Sequence, residues 1–384
     1  MQFEFSTSPR IVFGCGTRRM ISSCARELGS NCLVVTGKTP HRWDEITQSL
    51  EEAGVSCTVF QVPTEPTVMT VRKGAEEALA KGCDLVAAIG GGSVMDAAKA
   101  ISAMMTNPGD LYDYLEVVGR ASALKCRPSP VIAVPTTAGT GSEVTKNAVI
   151  ISKEHRLKVS LRSPLLYPAV VIVDPELTLS LPPGVTASTG LDALTQLLEA
   201  YVSNAANPIT DSLCREGLAR SSRSLHAAYL DGRDMSARTD MCVASLLSGM
   251  ALANARLGAV HGFAAAIGGL VDAPHGLVCA ALVPHVVEMN VRALAARGSA
   301  RQYLERFDDA ARIVTGSTGA RAQDLVAWLR DTCSRLSVPG LRDVGVHWND
   351  LADVAAKAQR ASSMKGNPVE LSLEELVAVL SAAW

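Results

Sequence analysis

Asp84-Leu-Val-Ala-Ala-Ile89 runs into Gly90-Gly91-Gly92-Ser93 and then into Val94-Met-Asp-Ala-Ala-Lys-Ala100. A short apolar run bounded by glycines reads as a strand buried on both faces, and the Ala-rich stretch after it reads as a helix. A strand–glycine–helix turn is the repeating unit of an open parallel α/β sheet. The glycines let the backbone pass close to a ligand and adopt φ > 0. Ser93 is placed to cap the helix, whose free N–H groups present partial positive charge to a pyrophosphate. A plain βα connection would use the same residues, so this turn alone leaves both readings open.

Outward from it, further strand candidates are Cys32-Leu-Val-Val-Thr36, Cys57-Thr-Val-Phe60, Val131-Ile-Ala-Val134 and Val170-Val-Ile-Val173, with a helical pattern over 68–81. Strands alternating with helices predict a parallel sheet covered on both faces. Beyond Leu181-Pro182-Pro183-Gly184 the texture changes. Residues 190–230, 236–257, 262–272, 276–299, 301–315 and 322–336 read as helices rich in Ala and Leu. The expected architecture is an α/β dinucleotide-binding domain over residues 1–182, followed by an all-helical domain over residues 183–384.

Composition narrows the class. Of 384 residues, 48% are hydrophobic and 19% charged, with net charge −2 and no long Lys/Arg run. Nucleic-acid and membrane-surface binding are therefore not expected. Met1-Gln2-Phe3-Glu4-Phe5 does not open a secretory signal, and no stretch is apolar enough to predict a membrane span. The ten cysteines are scattered without a C-x-x-C pair, which suits free thiols in a reducing compartment. A cytoplasmic protein is expected.

A second loop, Pro135-Thr136-Thr137-Ala138-Gly139-Thr140-Gly141-Ser142-Glu143, also follows a strand. Its four hydroxyls and two glycines suit phosphate, ribose or carboxamide better than an ordinary turn. Gly14-Cys15-Gly16 is a decoy: Arg19 stands where the dinucleotide fingerprint needs its third glycine, and a turn between N-terminal strands explains it. No Gly-Lys-Ser/Thr occurs, which disfavours phosphoryl transfer.

Asp192 and Gln196 lie four apart in Gly190-Leu-Asp-Ala-Leu-Thr-Gln-Leu-Leu-Glu-Ala-Tyr201, so a helix puts both on one face of an apolar segment. A buried carboxylate needs a cation, a hydrogen-bond network or water. His261-Gly262 and His275-Gly276 follow fourteen residues apart. One carboxylate and two imidazoles suit Zn²⁺ or Fe²⁺. Each histidine taken singly is more readily read as a hydrogen-bonded core residue.

The segments IGGGSVMDAAKA, PTTAGTGSEVT, VDPELTLSLPP, STGLDALTQLLEAY, GAVHGFAAAIGG and PHGLVCAALVPH, in this order, resemble the iron-containing (group III) alcohol dehydrogenases of the dehydroquinate-synthase-like fold. Similarity runs over nearly the whole chain. The resemblance implies that Gly91, Gly92 and Ser93 hold the pyrophosphate of NAD or NADP. Thr136, Thr137 and Thr140 would line the phosphate and nicotinamide, and Lys158 would approach a ribose. Gly37, Lys38, Asp96, Ser142 and Thr145 complete the expected cofactor set. Asp192, His261 and His275 match metal ligands and the catalytic centre. Gln196 stands where the family has a fourth, histidine ligand, and its carbonyl oxygen is a weaker donor.

Two more departures matter. A family histidine four residues after His261 is Ala265 here. The Asp often found after the second strand of NAD-preferring members is missing from Val35-Thr36-Gly37-Lys38. Without it, Lys38 or Arg42 could meet a 2′-phosphate, so NADP(H) should serve at least as well as NAD(H). The implied chemistry is reversible hydride transfer between nicotinamide and a small alcohol, aldehyde or ketone. Competing readings are a metal-independent reductase resembling maleylacetate reductases, a lyase resembling dehydroquinate synthase, and a non-catalytic nucleotide sensor. Substrate-facing positions are expected near Thr145, Lys146, Asn147, Ala255, Phe263 and 363–368, and a homodimer or larger homo-oligomer is implied.

Overall fold

A computed structural model describes residues 2–155, 157–298 and 301–384. By contacts the chain divides into two units: residues Thr7–Thr137 with Gly141–Thr178, and residues 2–6 with Ala138–Thr140 and Leu179–Trp384.

The first unit is built on strands β1 (Ile11–Phe13), β2 (Asn31–Thr36), β3 (Ser56–Gln61), β4 (Leu85–Gly90), β5 (Val131–Pro135), β6 (Asn147–Ser152), β7 (Leu157–Arg162) and β8 (Val170–Val173). Its helices are α1 (Ile21–Leu28), α2 (Asp44–Glu52), α3 (Val68–Ala80) and α4 (Gly92–Thr106). Six strands pair in parallel in the order β1-β8-β5-β4-β2-β3. Every residue of β4 is buried, as its unbroken apolar sequence requires. Ile21, Trp43 and Leu50 pack with Val34, Leu85, Ile132 and Ile172 in one core.

Two local readings need correction. Gly14 (φ 144°) and Gly16 (φ 76°) do not join two strands. They turn β1 into a short 3₁₀ segment and α1, and the Asp174 carboxylate accepts the backbone N–H groups of Gly16 and Arg18 there. The antiparallel hairpin β6–β7 was not expected, although burial alternates along β6 as its Asn-Ala-Val-Ile-Ile-Ser sequence allows.

The second unit is helical: α5 (Pro183–Val202), α6 (Pro208–Leu230), α7 (Met235–Ala255), α8 (Ala259–Gly268), α9 (His275–Arg297), α10 (Arg301–Thr315), α11 (Ala322–Arg335), α12 (Leu351–Gln359) and α13 (Leu373–Ala383). The stretch read as one helix over 190–230 is two, because Pro208 has no N–H to continue a helix and Asn207 caps the next. The Asn207 side-chain oxygen accepts from Ile209 and Thr210 N–H. The helix expected over 262–272 begins earlier, which puts His261 inside α8. Residue 299, the expected end of the helix from 276, lies outside the described residues. Helices α12 and α13 were not expected. Helix α9 is long and apolar enough to cross a membrane, yet 78% of its apolar window is buried within the protein, so its apolarity serves the core.

Candidate metal centre and dinucleotide-binding edge

Helix α5 carries Asp192, Gln196 and Glu199 at intervals of four and three, which sets all three on one face. All are buried, at 2%, 4% and 6% exposure. His261 comes from the first turn of α8, His275 opens α9, and Cys279 lies one turn further along α9. Gly276 makes this approach possible: a Cβ there would fall 2.0 Å from the Ser188 carbonyl oxygen of α5. One ligand atom from each of Asp192, His261, His275 and Cys279 lies within 4.8 Å of the other three.

Support around the cluster is specific. Glu199 Oε1 accepts the Val260 N–H at 2.7 Å, and Oε2 lies 2.6 Å from His261 Nδ1. That leaves Nε2 of His261 directed at Asp192 Oδ1, 3.3 Å away, with His275 Nε2 3.8 Å from the same oxygen. Asp192 Oδ1 is buried and has no hydrogen-bond partner. A carboxylate oxygen so placed among imidazole nitrogens is costly unless a cation sits there, so these residues fit a divalent metal.

The charges of these groups sustain one another. Burial opposes the Asp192 carboxylate, yet the neighbouring His261 and the charge of His275 hold it below its ordinary value. Burial likewise opposes protonated His261, but Cys279, Asp192 and Glu199 raise it well above the ordinary imidazole range. Cys279 itself is pushed up by burial and pulled further down by His275 and His261.

Gln196 does not point its oxygen into the cluster. Its Nε2 donates to Asp192 Oδ2 at 3.0 Å, and its Oε1 accepts from the Ser248 hydroxyl at 2.8 Å. The expected ligand oxygen is thus turned toward Ser248, because only the amide N–H₂ can face a carboxylate. Ala265 is exposed, whereas Ala255 and Phe263, expected near the substrate, are fully buried in the helical core.

The sheet unit has its own focus. From β2 the chain moves outward to β3, then returns across to β4 and on to β5, so the direction of winding reverses between β2 and β4. Ligands of open α/β sheets bind at the carboxyl ends of strands at such a switch point. Those ends carry Gly37-Lys38 and Gly90–Ser93, and Pro135 pairs beside Gly90 on β5. Among the three glycines none has positive φ, contrary to expectation. They allow close approach instead: a Cβ on Gly91 would lie 3.3 Å from Thr137 Oγ1. Gly91 is the N-cap of α4, so Ser93 falls within its first turn and does not cap it.

The remaining expected residues are scattered over different tasks. Thr136 is buried, and its N–H donates to the Gly90 carbonyl. Thr140 groups by contacts with the helical unit. Lys158 on β7 pairs with Glu65 at 2.6 Å. Asp96 accepts from the Ser142 hydroxyl at 2.6 Å. Buried Lys99 donates to Ser142 Oγ (2.7 Å) and Thr145 Oγ1 (3.1 Å) and lies 3.3 Å from Asp96. Asp96, Ser142 and Thr145 therefore fix the loop through Lys99. Lys38 is exposed, and the Arg42 guanidinium lies 4.9 Å over the Trp43 ring.

A sequence profile described as "Iron-containing alcohol dehydrogenase" matches residues 8–175, and one described as "Fe-containing alcohol dehydrogenase family, C-terminal" matches residues 186–384. The chain belongs to the iron-containing alcohol dehydrogenase family. Alcohol dehydrogenase 4 of Saccharomyces cerevisiae (strain YJM789) is 36% identical over 88% of this chain and 86% of its own. The structure of a 1,3-propanediol oxidoreductase superposes with TM-score 0.93 at 33% identity over 100% of both chains. That of sulfoacetaldehyde reductase from Bifidobacterium kashiwanohense in complex with NAD⁺ gives 0.88 at 28% identity, over 100% of this chain and 99% of the other.

As an iron-containing alcohol dehydrogenase the chain is an oxidoreductase acting on CH–OH groups, of a family that uses NAD(P) and a metal. Its parallel sheet followed by a helical part is the architecture the family motifs imply. The sequence reading passed over Cys279, Glu199 and Lys99. Each shares a helix face with a residue that was singled out, Glu199 seven after Asp192, Cys279 four after His275 and Lys99 three after Asp96, but that spacing alone assigns none of them a role.

Proposed function

We propose a metal-dependent, NAD(P)-linked alcohol dehydrogenase acting on a small alcohol, aldehyde or ketone, with Asp192, His261 and His275 holding the metal. The observation that carries this reading is the buried, unpartnered Asp192 Oδ1 facing the Nε2 atoms of both histidines. When bound, a divalent metal there supplies Lewis acidity toward the substrate oxygen, and the nicotinamide supplies or accepts the hydride. Glu199 keeps the His261 proton on Nδ1, so Nε2 stays free to ligate. Gln196 and Ser248 hold the carboxylate of Asp192 in register. The side chain of His275 is 36% exposed, which leaves that edge of the cluster accessible from outside.

For the cofactor, we propose the sheet unit as the dinucleotide-binding domain, with Gly91, Gly92 and the first turn of α4 receiving the pyrophosphate. The switch point between β2 and β4 supports this placement. Exposed Lys38 and Arg42 beyond β2, with no carboxylate at 36–38, support use of NADP(H) at least as well as NAD(H). The scattered cysteines, with no C-x-x-C pair, support the cytoplasm as compartment.

The test is metal analysis of the purified protein followed by turnover of an aldehyde panel with NADH and NADPH in parallel. A metal near one equivalent, loss of turnover on chelation and its return on adding metal are expected. His261→Ala and His275→Ala should each lower kcat by orders of magnitude with little change in cofactor affinity. Unchanged turnover in both would remove the metal from the reaction.

A further inference from the structure

We infer that Cys279 is the fourth protein ligand of this metal centre, so the site is an Asp–His–His–thiolate set that selects zinc over iron. The inference rests on the reading of Asp192, His261 and His275 as ligands and adds the donor that Gln196 does not provide.

Four of the six edges among these donor atoms suit a tetrahedral ligand set. Cys279 Sγ lies 3.6 Å from His275 Nε2 and 3.9 Å from His261 Nε2. The Asp192 Oδ1 edges to the same nitrogens are 3.8 and 3.3 Å. Ligands at about 2.0–2.1 Å for N or O and about 2.3 Å for S imply tetrahedral edges of about 3.3 Å between N and O and about 3.6 Å to S. The observed edges are within about half an ångström of these, and all four atoms lie within 4.8 Å of one another. Cys279 is fully buried. Its position one turn after His275 holds both side chains on one face of α9.

Chemistry points the same way. Gln196 Oε1 is committed to Ser248, so without the thiol the metal would have three protein donors and an idle sulfur beside two imidazoles. A carboxylate and a thiolate together neutralise a divalent ion in a buried site. A soft sulfur donor with two imidazoles in tetrahedral array is a zinc set, zinc would admit a substrate oxygen by expanding to five-coordinate, and Co²⁺ is its spectroscopic substitute. Ligation uses the thiolate and the lone pairs of both Nε2 atoms, so any protons these atoms carry leave to solvent on metal entry.

The test uses full-length protein stripped by a chelator and refilled with Co²⁺. A near-ultraviolet thiolate-to-cobalt charge-transfer band is expected in the wild type, and zinc-edge X-ray absorption of a second portion refilled with Zn²⁺ should show one sulfur at about 2.3 Å. Cys279→Ser should lose the band and weaken zinc binding more than about tenfold in chelator competition, while Cys333→Ser should keep both. Circular dichroism would report whether each variant is folded, and the wild-type spectra decide the question if Cys279→Ser is not. One equivalent of cobalt bound with no charge-transfer band and no sulfur scatterer would overturn the thiolate ligand and leave the three-ligand centre standing. Failure of the wild type to take up any metal would overturn both.

Discussion

Oε2 of Glu199 lies 2.6 Å from Nδ1 of His261, and this contact decides which imidazole nitrogen faces the cluster. The same carboxylate accepts the Val260 N–H through its other oxygen, so it fixes the start of α8 as well as the ring carried there. Glu199→Ala should therefore do two things at once. Metal affinity should fall by about 10–100-fold, the usual effect of losing a group that orients a ligand. Stability should fall by about 2–3 kcal/mol, since a buried backbone N–H and an imidazole N–H lose their acceptor. Glu199→Gln retains an acceptor oxygen and should recover most of the metal binding in a chelator competition. Equal losses in the two variants would show that charge, not ring orientation, is what Glu199 supplies.

Gln196 separates ligand from support. Its carbonyl oxygen faces Ser248 and its amide nitrogen faces Asp192. Gln196→Leu should leave metal stoichiometry near the wild-type value while unfolding at a lower temperature, by about 2 kcal/mol for the buried Asp192 oxygen left without its donor, since the Ser248 hydroxyl keeps the Ser245 carbonyl as acceptor. Asp192→Asn removes the anionic donor and should abolish tight binding. Gln196→Leu protein lacking metal at saturating supply would make Gln196 a ligand after all.

These two residues show how far sequence reasoning reached. The five main strands, the change of texture near Pro182-Pro183 and the Asp–His–His convergence follow from patterns that local chemistry imposes: unbroken apolar runs, proline breaks, buried charge. What was not legible depended on orientation. Gln196 has the right spacing to ligate, and only the position of Ser248, 52 residues away, turns its oxygen aside. Cys279 looked like one more core thiol because its role needs α9 to close on α5, which Gly276 permits by an approach to the Ser188 carbonyl that no spacing rule encodes. Asp96, Ser142 and Thr145 read as ligand-facing hydroxyls and acid, whereas a buried lysine claims them.

That lysine carries a prediction of its own. Lys99 is 1% exposed and donates to the Ser142 and Asn147 carbonyls as well as the two hydroxyls. Lys99→Met keeps the volume but leaves Asp96 and several buried acceptors unanswered. Removing one member of a buried charged network costs about 3–5 kcal/mol, so a marked fall in the denaturation midpoint is expected. Because the loop of residues 136–145 is tied down through this ammonium, the Kd for NADPH should rise as well. A variant that unfolds earlier yet binds NADPH normally in a fluorescence titration would confine Lys99 to stability.

Glu143 gives a pH signature. It is 3% exposed, and burial pushes its carboxyl up from an ordinary 4.5 to about 7, with its own backbone N–H and Lys99 pulling the other way. The folded state then holds this proton more tightly than the unfolded chain does. Between about pH 4.5 and 7 the native state carries the larger number of bound protons, so stability falls as pH rises through that window and the penalty is complete above it. Glu143→Gln is neutral at every pH and escapes the penalty. Its midpoint in thermal unfolding should match wild type at about pH 5 and exceed it at about pH 8, with the full gap being worth about 3 kcal/mol. Comparing the two proteins cancels titrations they share, including those of His261 and His275. Parallel curves across the range would mean that Glu143 stays ionised in the fold and that Lys99 offsets its burial.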